Sequence, residues 1–550
     1  MNEYLFTLWK SVESGPVRVE DMAQILHLSP KQTARYVKTW EREGWLSFTS
    51  GRGRGNVSKL TWLKNVEEVY EQELTTMIEE EPIEKSSKYL LMDWSQERKT
   101  RLLNHFQSKF GFKQTVYEID QLIIPRKYPF HSLHPLDAVH VHLANLVATV
   151  YNRLVAIDER GGVEPEIAHS WNMTPTRLRL YLKKDVKFHD GSILTANDVV
   201  QCLENMRKQP QYANLWQPVE RIRAVTPLVI DIDTPNGCSY TLQLLGTIIA
   251  SIYKETDHGL VGTGPFYVAE NSEMKTKIIA FKEHFQERPL LDEIEFIQVP
   301  KDYDFIYTSN LKKEPESTFV FKSHSGFGVV IMNACRKSDI SRQEVRDYIH
   351  SVIAGHRHEV TGVYEKMVPN HTSCLSHKTE PYPIPKVERP RFYAPLILMQ
   401  RKWNQPMTNW LKEILDEAGV PIEVKWLTFE ESIYENTKQE EVDLYIHGEI
   451  FEMNETFSFY YFLKNGYSPL SNILNNDPEL KKHMDMYIQT PFEKWGEFHE
   501  QMEKMLIEKS IMIPLYHQKK EIPFSNDIMN IQMKHFGYVD FSKLWVRPEI

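Results

Sequence analysis

Residues 29–44 read SPKQTARYVKTWEREG. Ser29, Pro30 and Gln32 make a helix start: serine caps, proline takes the first turn, and glutamine reaches back. Thr33, Val37 and Trp40 then recur at spacings of four and three, which puts them on one face of the helix. Lys31, Gln32, Arg35 and Lys38 fall largely on the opposite face, with Tyr36 at the border, and Gly44 supplies the stop. Upstream, Met22, Ile25 and Leu26 give a second helix a narrow apolar face before Leu28 enters a turn. Downstream, WLSFT (45–49), SGRGRGN (50–56) and VSKLTWL (57–63) read as strand, glycine-rich tip and strand. These helices followed by a basic hairpin predict a winged helix-turn-helix. That geometry lays helix 30–43 in the major groove of double-stranded DNA, with Lys31, Gln32, Arg35 and Lys38 toward it. Arg52 and Arg54 of the hairpin then lie against phosphate or the minor groove.

Charge is distributed accordingly. Residues 1–64 hold ten Lys/Arg against six Asp/Glu, a surplus of four. The whole chain stands at −10, so the rest carries −14, and the basic footprint is confined to one small domain. A basic outer face can also be a merely solvated one, and winged helices also serve as protein-binding modules.

The 550 residues are 41% apolar, enough for several cores. Cys202, Cys238, Cys335 and Cys374 have no paired spacing, so buried thiols are expected rather than zinc or disulfides. MNEYLFTLWKSVESG shows no basic leader, long apolar run or small-residue cleavage site, and no nearby cysteine for a lipid anchor. No run of about 18 apolar residues predicts a membrane span. A cytoplasmic protein is expected.

Residues 186–200, VKFHDGSILTANDVV, continue the pattern of strand, turn and capped helix. Val186 and Phe188 alternate with Lys187 and His189, Asp190-Gly191 turns, and Thr195 with Asp198 forms a capping box. This wording resembles the family 5 solute-binding proteins of ABC importers. So do EPEIAHSWNMTPTRLRLYLKKDV (164–186), VGTGPFYVAE (261–270) and MNACRKSDISRQEVRDYIHSVI (332–353), in the same order. With GWLSF, LTWL, MIPLYHQ and GYVDFSKLW added, the whole chain resembles the SgrR-type transcriptional regulators, most weakly over about 320–505. The resemblance implies a multidomain chain: an N-terminal winged helix, mostly α with a β-hairpin wing, joined to a two-lobed α/β periplasmic-binding-protein-like fold of the peptide-binding type. The expected limits are 1–64 for the winged helix and 65–112 for a helical connector. The body follows over 113–550, with lobe one at about 113–320 and 506–550 and lobe two at about 321–505. The chain should cross between lobes near 317–333 and return near 511–518.

In the connector, Val66, Val69, Leu74 and Met77 fit a stripe on a glutamate-rich helix ended by Pro82, which either pairs copies of the chain or packs internally. Residues 86–112 read as one further helix with Leu91, Trp94, Leu102 and Phe106 inward.

The resemblance implies a regulator that senses a small molecule (sugar phosphate, sugar or peptide-like) by lobe closure and alters transcription of transporter or stress genes. RNA polymerase is a further partner of such a protein. The alternatives are a transporter-associated solute- or oligopeptide-binding protein, or an intracellular carrier, without a DNA role. Peptide binders of the family hold the peptide amine with an Asp in a Gly-Trp-x-x-Asp-Tyr segment. Here GEIFEMNETF (448–457) stands there, with Glu452 at the Asp position but Glu449 and Met453 replacing Trp and Tyr, a departure that weakens the case for peptides. His131, His134, His140 and His142 cluster in sequence, but only Asp137 could complete a site, and no metal is expected. HRHEV (356–360) lacks the second histidine of a zinc-protease helix. No phosphate-cradling loop, nucleophile elbow or dinucleotide fingerprint occurs, so neither catalysis nor a cofactor is expected.

Overall fold

The computed structural model describes the chain except residues 52–56, 108, 115–118, 138–140, 159–160, 301–302, 304–317, 365–366, 376–377, 402–403, 429–430, 432–440, 453, 465–467, 535–536 and 548–550. The first unit runs α1 (Glu3–Ser11), β1 (Gly15–Val17), α2 (Val19–Ile25), α3 (Pro30–Arg42), β2 (Leu46–Thr49) and β3 (Ser58–Trp62). Its sheet is antiparallel in the order β1-β3-β2. The predicted helix pair and hairpin are present. α1 and β1 are additions, β1 being a three-residue edge that pairs Gly15 with Leu60. Leu5, Leu8, Met22, Leu26, Val37, Trp40, Leu46 and Leu60 are buried together.

The connector comprises α4 (Val66–Glu80), α5 (Ile83–Leu90) and α6 (Gln96–Gln107). The α4 face that turns inward is Val66, Tyr70, Leu74 and Ile78, at strict intervals of four; Val69 and Met77 are only half-buried. Tyr70 decides this register. Its ring stacks on Phe6 at 6.0 Å, and its hydroxyl accepts the Asn2 amide at 2.8 Å. The apolar stripe is therefore filled by α1 within the same chain. The single helix expected over 86–112 is instead two elements, broken between Leu90 and Gln96, and Leu91 is 46% exposed. Trp94, Leu102 and Phe106 are inward as expected.

The connector rests on a shared wall. β4 (Gly111–Gln114) and β5 (Asp120–Arg126) join a five-stranded sheet in the order 266–271, 275–280, 293–298, β5, β4, in which β5 and Glu293–Gln298 are parallel. Successive side chains on these strands face opposite sides. Leu122, Ile124, Ile294 and Phe296 enter the large core of lobe one, while Ile123 and Ile297, with Val299 and Tyr303, enter the core of the N-terminal unit. Burial on both faces explains the apolar run LII and the adjacent pair Phe296-Ile297.

Lobe one also holds a four-stranded antiparallel sheet, in the order 221–226, 229–233, 177–182, 168–174. Residues 186–189 contribute only an isolated bridge, Lys187 to Ile193, instead of the expected strand end, although Val186 and Phe188 are fully buried. Lobe two is built on a six-stranded mixed sheet, in the order 367–369, 512–525, 318–332, 444–450, 396–401, 422–427. The stretches 317–333 and 511–518, where the crossings are expected, fall largely in its long antiparallel pair Thr318–Met332 and Met512–Ser525. A Cβ at Gly328 would sit 2.1 Å from the Tyr516 ring, so only glycine allows the two strands this approach. Phe327 packs on Phe462 at 5.2 Å, and Tyr460 in turn lies 5.0 Å from Tyr240 of lobe one. Helices between Glu455 and Glu508 thus fill the space between the six-stranded sheet and lobe one. Cys202 and Cys374 are buried and Cys238 half-buried, but Cys335 is exposed, because it sits in the turn that follows the strand ending at Met332.

Candidate nucleic-acid interface and interlobe cleft

α3 is fixed at both ends by its own sequence. Ser29 Oγ accepts the Gln32 amide at 3.3 Å, and Gln32 Oε1 accepts the Ser29 amide at 3.2 Å. Such a cap stabilises by about 1 kcal/mol. At the other end Gly44 takes φ +74°, its amide donating to Glu41 and that of Trp45 to Trp40. With both ends set, Thr33, Val37 and Trp40 are buried, and Lys31, Gln32, Arg35 and Lys38 are all exposed. Among the described residues Lys31, Arg35 and Lys38 make no ion pair. Arg35 lies 5.9 Å from the Tyr36 ring centre, Tyr36 itself being half-buried as expected. Gln32 is partly committed: its oxygen is the cap acceptor, so its amide nitrogen is the group that remains to donate. Arg52 and Arg54 lie outside the described residues.

In the body, two of the sequence stretches singled out above meet through one imidazole. The His189 amide donates to the Gly262 carbonyl at 2.9 Å, Nδ1 stands 3.3 Å from the Gly262 amide, and Nε2 stands 3.0 Å from the Gly264 carbonyl. Those partners require Nε2 to carry the proton and Nδ1 to accept. Burial pushes the ring's pKa down to about 4, so it stays neutral. A Cβ on Gly262 or Gly264 would meet the Val150 carbonyl at 2.2 or 2.5 Å, which explains the glycines of VGTGPF. Beyond the turn, Asp198 accepts both the amide and the hydroxyl of Thr195, at 2.8 and 2.6 Å.

In lobe two, strands 396–401, 422–427 and 444–450 form a parallel set with their carboxyl ends on one side. Ligand crevices in α/β sheets lie outside such ends. Glu452 follows the last strand there and reaches lobe one, where its carboxylate accepts the Ile248 amide of the 3-10 turn Ile248–Ala250. Its own amide donates to Ser458 Oγ at 3.0 Å. Burial raises the Glu452 carboxyl to about 7, opposed by the Ile248 amide and by Arg153. Arg153 belongs to a buried network in which Glu166 accepts from Asn152 Nδ2 at 2.7 Å and from the Arg153 amide at 3.0 Å. Sequence pattern gives no reason to single out Arg153 or Asn152. Met453 lies outside the described residues.

Of the clustered histidines, His131 is exposed, and the His142 side chain lies outside the described residues. His134 Nδ1 accepts the Leu136 amide at 3.1 Å and its ring abuts Tyr253, while His140 lies outside the described residues. Among the described residues no three His, Cys, Asp or Glu side chains could hold a metal, and no helix is long and apolar enough to cross a membrane.

Residues 1–113 match the family model described as "Sugar transport-related sRNA regulator N-term", and residues 162–307 match "Bacterial extracellular solute-binding proteins, family 5 Middle". The chain is 23% identical to the HTH-type transcriptional regulator SgrR of Photorhabdus laumondii over 100% of this chain and 99% of that protein. Identity to the SgrR of Yersinia enterocolitica is also 23%, with the same coverage. The chain is thus similar to SgrR-type regulators over its whole length. Solved structures with a similar fold cover 78% of this chain. They include the periplasmic binding protein DppA of Helicobacter pylori in complex with peptide STSA (TM-score 0.62, 16% identity, 98% of that chain). NikA of Brucella suis in complex with Fe(III)-EDTA is equally similar (TM-score 0.62, 16% identity, 100% of that chain). The molecule has two parts: a winged helix whose α3 cations make no ion pair among the described residues, and a two-lobed body whose lobes touch through Glu452.

Proposed function

We propose that the chain is a cytoplasmic transcriptional regulator. Its winged helix binds double-stranded DNA, and its solute-binding-like body senses a small molecule by lobe closure. The exposed face of α3 carries this reading: three cations that make no ion pair among the described residues, in a chain whose remainder is strongly acidic. Lys31 and Lys38 dock phosphates, Arg35 reads a base edge, and Gln32 contributes as a donor because its oxygen is engaged in the cap. Arg52 and Arg54 serve the wing. In the body, a ligand contacting both lobes favours the closed form, because only that form offers both sets of contacts. Glu452, already bridging the lobes, is the acid that faces it. A sugar phosphate, sugar or peptide-like molecule fits such a cleft. The altered Trp and Tyr positions beside Glu452 speak against ordinary peptides. Transporter or stress genes are the targets of this reading, and RNA polymerase is a further partner. No residue is assigned a catalytic role.

The test is a mobility shift with DNA upstream of the chain's own gene and its neighbours, at near-physiological salt, against random competitor. A specific shift that tolerates salt is expected. Binding that fades with salt for every duplex alike would leave only phosphate attraction. The alternative, a transporter-associated solute-binding protein without a DNA role, would then lead. For the cleft, ligand-induced thermal stabilisation should be lost in Glu452→Ala; stabilisation that survives removes Glu452 from the site.

A further inference from the structure

Arg357 follows the lobe-two helix Gln343–His356, in the turn Arg357–Glu359 that packs against strand Met367–Pro369. It is 5% exposed, and its Nε is sealed with no acceptor. Among the described residues the guanidinium makes no hydrogen bond and no ion pair. The other buried arginines differ. Arg346 donates to the carbonyls of Ile340, Ser341 and Lys509, Arg126 to those of Ser272 and Glu273, and Arg153 sits on Glu166.

An arginine cannot escape such burial by losing its proton near neutral pH. Burial draws the Arg357 pKa down to about 10, which still leaves it charged. The helix C-terminus it caps offers a partial negative charge, a weaker compensation than a full ion. An isolated buried cation is costly unless an anion joins it.

The surroundings favour an anion. His371 is exposed and lies within the field of both Arg357 and His358, which hold its pKa below the usual histidine range alongside its partial desolvation. His358 is exposed, its Nδ1 3.1 Å from the Gly355 carbonyl. His350 lies behind, its Nδ1 on Ser510 Oγ at 3.1 Å, and the field of Arg357 adds to its own desolvation in keeping it neutral. No carboxylate acts on Arg357 or His371 among the described residues.

We infer that Arg357, with His358 and His371 at its rim, is a binding site for a small tetrahedral oxyanion of the phosphate or sulfate type. The guanidinium supplies a planar fork of donors to two oxygens, and the imidazoles supply one donor each. The inference does not rest on DNA binding or on Glu452.

Isothermal titration of the full chain with inorganic phosphate, at constant ionic strength set with chloride, tests it; sulfate forms a second arm. Saturable binding is expected, weakened about tenfold or more in Arg357→Met, which loses the fork and its charge. His371→Gln, at an exposed position that leaves folding unaffected, should weaken it by roughly two- to fivefold. Arg357→Met should melt no lower than the parent in anion-free buffer, since it removes a buried charge without a partner. No saturable heat in the parent, unchanged affinity in Arg357→Met, or a collapse of that variant's melting point in anion-free buffer would each overturn the assignment. Saturation by sulfate but not phosphate would overturn a phosphate occupant.

Discussion

On the outer face of the four-stranded sheet, Arg179 donates to Asp231 from Nε and Nη2 at 2.7 and 2.9 Å, and Arg223 adds a third bond at 3.0 Å. Arg177 closes on Asp233 at 2.6 Å. On α3, Lys31, Arg35 and Lys38 share the exposed helix face, and among the described residues none of them makes an ion pair. Strand register explains the first array: Arg179 lies opposite Asp231 and Arg177 opposite Asp233, so cross-strand pairing compensates the charge. Helix period explains the second: the outer face repeats Lys, Gln, Arg and Lys, and the acid at a spacing of three, Glu41 after Lys38, instead accepts the Phe48 amide at 2.8 Å. The difference teaches that a run of basic residues marks a partner only where the fold has not supplied its counter-charge.

The comparison breaks most visibly at Asp231, whose side chain is 0% exposed. Asp231→Ala leaves Arg179 and Arg223 facing each other and should cost about 2–3 kcal/mol in a urea melt, discounted because both arginines reach water. DNA affinity per folded molecule should not change. Arg35→Ala should do the reverse: melting unchanged, but about 1–3 kcal/mol of discrimination between operator and random duplex lost in competition gel shifts. Equal loss on both duplexes would make Arg35 a phosphate contact.

A third array is neutral by burial. His189 has its pKa held near 4 in the folded state, below the ordinary 6.5, so the unfolded chain binds more protons between those values. Stability is full above about pH 6.5 and declines as pH falls toward 4, by roughly 3 kcal/mol from this residue. Melting His189→Gln across that range should give a flatter profile than the parent. The smallest effects belong to the phosphate contacts. Arg52→Ala and Lys38→Ala should weaken every duplex alike, each reducing the slope of log affinity against log salt by about one. A sequence-dependent loss in either would move that residue from docking to readout.

α3 was legible in full because every determinant lies within sixteen residues: cap, period, border aromatic and terminating glycine. α4 was legible as a helix but not in its facing. Tyr70 outweighs Val69 because its ring and hydroxyl find partners on α1, almost seventy residues upstream. Leu91 was misplaced because nothing local in SSKYLLMDWS reveals that the chain turns before Trp94. The glycines of VGTGPF were visible as a pattern, but their cause, the Val150 carbonyl and the His189 ring, comes from elsewhere in the chain. Glu452 could be placed by its segment; its contact with Ile248 spans 204 residues and has no local signature. The three-residue β1 is too short to leave a period.

The shared wall has a consequence for the order in which the molecule is made. Ile297, Val299 and Tyr303 complete the hydrophobic core of the N-terminal unit, and Phe110 meets the Tyr303 ring at 5.5 Å. As the chain emerges during synthesis, the winged helix is exposed early, yet its connector has an open apolar flank until Ile297–Tyr303 have been made. Strand Thr318–Met332 waits longer still, for Met512–Ser525 near the end of the message. Domains that emerge first usually fold first. Here the first segment to appear is seated only after lobe one's sheet has formed, so a nascent chain would hold its nucleic-acid surface on an unfinished base until the sensor exists to govern it.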